Sequence, residues 1–270
     1  ATASQVLRAR TSGSQRMTSE VISERHLPEG YSVLEDVAGQ DAYTLRCVPQ
    51  IIGACIDTMA WHRTIVETEL CSATDNPIFP GDPDRPALHG GNFMGQHVGL
   101  ASDALSNAIL VLAGLMERQV ARLTDERLNN GLPAFLAGGT SGLNSGFMGA
   151  QVTATALLAE MRSNAGAVSV QSISTNAANQ DVVSMGTIAA RKCADHLRET
   201  NRIQAILALC IAQGVDFIGT AEPWAPATLA LHSSIRKHAP KLERDRALAA
   251  EIELVSEQIC SEDPPEVGRA

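Results

Sequence analysis

Aromatic side chains are scarce in this 270-residue chain, which holds five Phe, two Tyr and two Trp, or 3% of its residues. Sandwiches and barrels fill their layers with aromatic and β-branched residues, so the scarcity argues against them. Alanine- and leucine-rich runs such as ATALLAE (154–160) and AILALCIAQ (205–213) argue for helices instead. A basic excess is also missing. Lys plus Arg number 21 against 30 Asp plus Glu, a net charge of -9, which speaks against nucleic acid as the main partner. Six cysteines occur without a C-x-x-C, and seven histidines without an H-x-x-x-H, so neither a disulfide framework nor a zinc site is expected. The thiols read as reduced and largely buried, as in a cytoplasmic protein. No apolar run is long enough to suggest a membrane span, and no apolar leader opens the chain at ATASQVLRAR.

With 44% hydrophobic residues there is ample material for a core. Residues 1–39 are polar and form a lead-in segment. Residues 40–218 carry long apolar stripes at helical spacing, and 219–270 read as a weaker helical tail. The stripes predict helices over 43–73, 95–129, 147–162, 182–214, 226–239 and 245–260, with Pro49 marking a kink or a first turn. Between them lie irregular loops. The segment TDNPIFPGDPDRPALHGGNF (74–93) has too many prolines and glycines for a helix, and a loop of that length is usually functional.

Two features invite functional readings that their context does not support. The glycine-rich stretch 138–149 lacks the Gly-Lys-Ser/Thr ending of a phosphate loop and follows no strand, so it reads as a turn leading into a Ser-capped helix. His89 and His97 lie near Asp82 and Asp84, but no spacing aligns three ligands, and Asp82-Pro-Asp84 reads as a surface turn.

Three constellations are better candidates. In QDAYTLRCVPQ (40–50), Tyr43 and Arg46 are three apart and share a face if the helix begins near Asp41. A phenol beside a guanidinium can bind a carboxylate and take part in proton transfer, though a surface Tyr and Arg would look the same. In the long loop, Asn76 precedes Pro77 and is expected in an extended conformation. Gly90-Gly91 would let backbone approach a ligand while presenting Asn92 and Phe93, unless Phe93 merely plugs the core. In STNAANQDVVSMG (174–186), Asn176 and Gln180 are four apart, at the expected start of a helix. There they could bond an amine or carboxylate without adding charge, or simply cap the helix.

Taken in order, QDAYTLRCVPQ, TDNPIF, LHGGNF, NNGLPAFL, GLNSGFMGAQVTATALLAE and NAANQDVVSMG resemble the family of aromatic amino acid ammonia-lyases and aminomutases. Within it QDAYTLRCVPQ, GGNFMGQHV and RQVARLTDERLNNGLP are most similar to the bacterial 2,3-aminomutase branch, which acts on phenylalanine or tyrosine. The resemblance implies an all-α fold of long antiparallel helices, the central bundle of a homotetramer, joined by irregular Gly/Asn-rich loops. It also implies the electrophile 4-methylideneimidazole-5-one (MIO), which forms from an internal Ala-Ser-Gly and needs no metal. Arg46 would clamp the substrate carboxylate and Tyr43 would assist proton handling beside the MIO. Asn76 would hydrogen-bond substrate or MIO, Phe93 would pack against the MIO region, and Gln180 with Asn176 would line the amine and carboxylate side. Gln40 would support the same pocket, and each site would draw on three subunits.

One element of that pattern is missing: the chain contains no Ala-Ser-Gly. Its Thr-Ser-Gly tripeptides at 11–13 and 140–142 are not followed by the Asp-Leu of the family's MIO context. The family's MIO, lid tyrosine and aryl-specificity residues lie upstream of the Tyr43 motif. The expectation is therefore the C-terminal half of such an enzyme, partnered by its own N-terminal half. A 2,3-aminomutase leads, with an ammonia-lyase or an inactive helical oligomerisation partner as the alternatives.

Overall fold

The computed structural model describes residues 41–140, 142–222 and 224–261. Seven α-helices occur among them: α1 Tyr43–Arg46, α2 Val48–Leu70, α3 Gln96–Thr124, α4 Met148–Ser163, α5 Gly186–Ile218, α6 Pro226–Arg236 and α7 Ala249–Ser261. The fold is all-α, as expected. The helix expected over 43–73 divides at Cys47, because Pro49 has no N–H to continue a ladder and sits instead in the first turn of α2. Pro226 opens α6 in the same way. The helix expected to reach residue 129 stops at Thr124. Beyond it the Asn129 side chain donates to the Leu123 and Pro133 carbonyls and closes a turn.

Cross-helix contacts define the directions. Thr44 meets Gln119 and Cys55 meets Ala108, so α2 runs antiparallel to α3. Thr155 reaches Glu117 and Arg162 reaches Gly114, so α4 is antiparallel to α3 as well. Asp103 pairs with Lys192 and Ser106 with His196, so α3 and α5 run parallel. Successive long helices are antiparallel, and α4 is the return stroke between the two longest.

The core forms where α3, α4 and α5 meet, around Ile109, Val120, Leu158, Met161, Ile203 and Leu209. Ala113, Ala205 and Ala212 are fully or almost fully buried at these seams, which lets the helices approach closely. Phe147 is the only buried Phe, Tyr or Trp among the described residues, so the low aromatic content reflects seams built from small and aliphatic side chains. Ile235, Leu242 and Val255 bring the last two helices into the same core. The stretches Asn92–Thr124 and Gly186–Ile218 are long and apolar enough to cross a membrane, which the sequence reading did not register. Their apolarity is used in mutual packing, and the same helices bury Asp103 and Glu117. Of the cysteines, Cys55, Cys193 and Cys210 are buried, with thiols pushed up by burial. Cys71 and Cys260 are exposed, so "largely buried" holds for half of the six.

Gln213 locks the closing segments onto α5. Its Nε2 donates to the Leu136 and Leu242 carbonyls, and its Oε1 accepts the Leu242 N–H at 3.0 Å, all away from solvent. Gln213→Leu strands these groups and should lower the unfolding free energy by roughly 2–4 kcal/mol in denaturant melts. A change below about 0.5 kcal/mol, the scatter of neutral surface substitutions, would refute that role.

Acidity should act in two steps. Burial pushes the His196 and His62 imidazoles below their ordinary value, so the unfolded chain takes up these protons first and stability falls as pH drops below about 6.5. Burial alone would raise the Asp103 and Glu117 carboxyls. Lys192 with the Ser169 and Val168 N–H groups outweighs it at Asp103, and Arg118 with Thr155 outweighs it at Glu117, so both lie below the usual range. Their stabilisation is complete above about pH 5, beyond the unfolded carboxyl values, and is lost as pH falls through the lowered folded values. The thermal midpoint should fall in both windows, and His196→Gln should shrink the upper step. A flat profile from pH 7 to pH 3 would contradict this assignment.

Candidate active site

The proline-rich loop after α2 is ordered by its own backbone. Ile78 and Leu88 exchange hydrogen bonds of 2.9 and 2.8 Å, and Asn92 donates to the Ala73 carbonyl. Asp82 accepts from the Asp84 N–H and from the Arg85 guanidinium, so Asp82-Pro-Asp84 is the surface turn expected. Among the described residues, no three His, Cys, Asp or Glu side chains group as a metal site would require. The Asn76–Pro77 peptide is cis. Asn76 Oδ1 accepts the Gly90 N–H at 3.0 Å, which leaves the exposed Nδ2 as the part of this side chain available to a ligand. Phe93 sits on a single 3₁₀ turn, Asn92–Met94, and is 56% exposed, so its ring is not a core plug of this chain. A side chain at Gly90 or Gly91 would meet nothing within 4 Å, which leaves open space in front of this backbone.

Asn176 and Gln180 do not share a helical face. Asn176, Ala177 and Ala178 all have positive φ (53°, 51° and 64°), and this left-handed run reverses the chain. Thr175 and Gln180 close the reversal with two backbone hydrogen bonds, and Thr175 Oγ1 donates to Gln180 Oε1 at 2.8 Å. Helix α5 therefore starts at Gly186, later than expected. The two side chains still stand on one exposed hairpin, Asn176 entering the reversal and Gln180 leaving it. Below it, the Val183 N–H donates to Ser172 Oγ, and Ser184 lies against α3. A Cβ at Gly99 would stand 2.8 Å from the Ser184 carbonyl, so glycine is required there. Gly95, directly after the Phe93 turn, also meets Ser184. Asn76, Phe93, Asn176 and Gln180 thus gather at the N-terminal ends of α3 and α5.

Tyr43 and Arg46 are elsewhere. They share a face as expected, the Arg46 guanidinium 4.5 Å from the Tyr43 ring centroid, and both are exposed. Helix α1 docks near the C-terminal end of α3, where Gln119 donates to the Thr44 carbonyl. Gly95 and Gln119 are 24 positions apart, which in a helix is roughly 36 Å. One chain therefore holds the candidate residues in two separated, exposed groups. Gln40 lies outside the described residues.

The glycine-rich loop does bind an anion, but an internal one. The Asp245 carboxylate accepts the Ser145 and Gly146 N–H groups at 2.7 and 2.9 Å, and Asn144 bridges Gly138 and the Asp245 N–H. Gly146 has φ +55°, and a Cβ there would lie 2.5 Å from the Phe135 carbonyl. The expected Ser cap is absent: Phe147 is the N-cap of α4 and makes no side-chain hydrogen bond, while Ser145 contributes only its backbone. Sequence reasoning also missed Asp103, Lys192 and His196. Asp103 and Lys192 are 89 residues apart, in no motif. No local signal marked them, because Asp103 lies away from the apolar stripe of α3, among Gly99, Ser106 and Asn107.

The family model for aromatic amino acid lyase matches residues 1–237. A tyrosine ammonia-lyase of Cereibacter sphaeroides is 57% identical over 260 residues, 96% of this chain and 50% of that protein. An MIO-dependent tyrosine 2,3-aminomutase of Streptomyces globisporus is 44% identical over 220 residues, 82% of this chain and 40% of that protein. Among solved structures, the tyrosine aminomutase of Streptomyces globisporus superposes with a TM-score of 0.79 at 39% identity, over 95% of this chain and 46% of its own. The histidine ammonia-lyase of Trypanosoma cruzi gives 0.85 at 34% identity, over 96% and 48%. The chain spans about half the length of the curated relatives it matches.

Asp245→Ala removes the acceptor of two backbone donors and should cost about 1–3 kcal/mol in thermal or denaturant unfolding. Inorganic phosphate should then restore part of the loss by filling the vacated site. If stability is unchanged, the carboxylate does not hold this loop.

Proposed function

The chain belongs to the aromatic amino acid lyase family, and on that premise we propose that it supplies the substrate-clamping part of an ammonia-lyase site acting on an aromatic L-α-amino acid, tyrosine foremost. The observation that carries the proposal is the division of the candidate residues between the two ends of α3. Tyr43 and Arg46 can complete a site with Asn76, Phe93 and Gln180 only if a second copy lies alongside and brings its opposite end into register. An open groove of about 1060 Å³ between α2, α3 and α5, lined by Val48, Ile56, Leu105, Leu112, Leu207 and Ile211, offers an apolar surface for such packing. A homotetramer around this bundle satisfies both requirements.

In that site Arg46 grips the substrate carboxylate with two parallel N–H bonds, fixing the angle of the amino acid. Gln180 Nε2 and Asn76 Nδ2, each with its side-chain oxygen already engaged inside the chain, are left to donate to substrate oxygens. The Tyr43 phenol handles a proton at the end of the pocket that Arg46 defines. The hard step is removal of an unacidified β-proton, so rigid positioning supplies much of the rate. When bound, the family's MIO would supply the electrophile that turns the substrate nitrogen into a leaving group. This chain has no Ala-Ser-Gly from which to form it. The open space before Gly90 and Gly91 and the exposed Phe93 ring suit a group brought in from outside these 270 residues.

The same residues serve an aminomutase, which returns the amine to the β-carbon. The motif details favour that branch, whereas the higher identity over a longer stretch to a tyrosine ammonia-lyase favours elimination. Combining the chain with an MIO-bearing half and supplying L-Tyr or L-Phe separates the outcomes. Arylacrylate plus ammonia is expected, a β-amino acid as main product would make the enzyme a mutase, and a stable but inactive assembly would leave a helical scaffold. The 270-residue chain by itself should turn over neither substrate. In the active assembly Tyr43→Phe should lower kcat by roughly 10²–10⁴-fold, and Arg46→Lys should act mainly on KM.

A further inference from the structure

The hairpin bearing Asn176 and Gln180 is exposed throughout, and among the described residues 174–181 hydrogen-bond only to one another. Its position is therefore set by its two legs. The second leg rests on α3, where Ser184 meets Gly99. The first is held one helical turn further along α3, on the same face, by a buried carboxylate. Asp103 Oδ2 accepts the Val168 and Ser169 N–H groups at 2.9 and 2.8 Å. Its Oδ1 accepts Lys192 Nζ at 2.8 Å, and Lys192 donates a second bond, of 2.7 Å, to the Gly166 carbonyl. The side chains of Asp103 and Lys192 are 7% and 12% exposed.

Stability alone does not explain such a pair, because replacing a buried ion pair with apolar side chains is often neutral or stabilising. Nor does apolar packing hold the first leg on its outer side. A cleft of about 610 Å³ opens there, lined by Gly166, Val168, Gln171, Ile188, Lys192 and His196. What the two charges supply is direction, since together they bind two N–H groups and one carbonyl of a single short stretch of loop.

We propose that the Asp103–Lys192 ion pair is a positioning device. It clamps residues 166–169 to the α3/α5 seam, and so fixes where the hairpin presents Asn176 and Gln180. Its catalytic consequence rests on the lyase reading above, whereas the clamp itself does not. Asp103 and Lys192 touch no substrate; they act through the loop.

Hydrogen exchange of the 270-residue chain tests the clamp without any turnover. In D103N and K192M, residues 165–183 should exchange at least tenfold faster, while α3 and α5 keep their protection. K192R should restore the wild-type rate. The double variant D103L/K192M leaves no unpaired charge but strands the Val168 and Ser169 N–H groups, so it should lower the thermal midpoint no more than Asp245→Ala does and still lose hairpin protection. Unchanged exchange in D103N, a hairpin already unprotected in the wild type, or losses spreading equally through α3 and α5 would each overturn the proposal. In an active assembly, D103N should lower kcat more than it raises KM, with K192R close to wild type. Protection that follows the pair, while the chain combined with an MIO-bearing half turns over no aromatic amino acid, would sink the lyase reading and leave the clamp standing.

Discussion

The close parallel approach of α3 and α5 is the constraint on which the remaining structure depends. Two helices of this length, running the same way, need a third to return the chain between them, and α4 fills that role. They also need small residues where their backbones approach, which Gly99 and Gly186 provide at one end and the buried Ala113 and Ala205 further along. Close packing of this kind transmits position well, because a shift at one seam has no slack to absorb it. The N-terminal ends of both helices are consequently held in register, and the two loops that carry Asn76, Phe93 and Gln180 inherit that register.

Buried polar groups then decide what the helices hold. Gln213 fixes the segments around Leu136 and Leu242, Asp245 fills the amide nest at Ser145 and Gly146, and Asp103 takes the amides of Val168 and Ser169. In each case one side chain satisfies several backbone groups of a loop that has little apolar surface of its own. The pattern explains how long irregular connections stay ordered between helices. It also explains why a glycine-rich loop that looks suited to phosphate is already closed by an internal carboxylate.

The separation of Tyr43 and Arg46 from the other candidates has a simple origin. Helix α2 runs antiparallel to α3, so a motif at the start of α2 must lie beside the end of α3, while the loop that links them lies at the other end. No side-chain movement spans such a gap. A site that needs both groups is therefore a property of an assembly, and the exposed apolar surfaces along α2, α3 and α5 are where an assembly would form.

Helical content, the identity of the long loops and the family were legible in the residues themselves, because apolar periodicity and ordered motifs are local signals. The Tyr43–Arg46 pairing was legible for the same reason, being a matter of spacing within one turn. What the residues could not reveal was any feature that joins distant positions. The reversal at 176–178 cancels the helical spacing of Asn176 and Gln180. The pair at Asp103 and Lys192 bridges 89 residues. The amide nest is filled by an aspartate in another segment. Sequence determined the family and the candidate residues, through residue types at short spacing. Tertiary structure alone decided where each group stands, because helix direction and buried polar contacts depend on which distant segments meet.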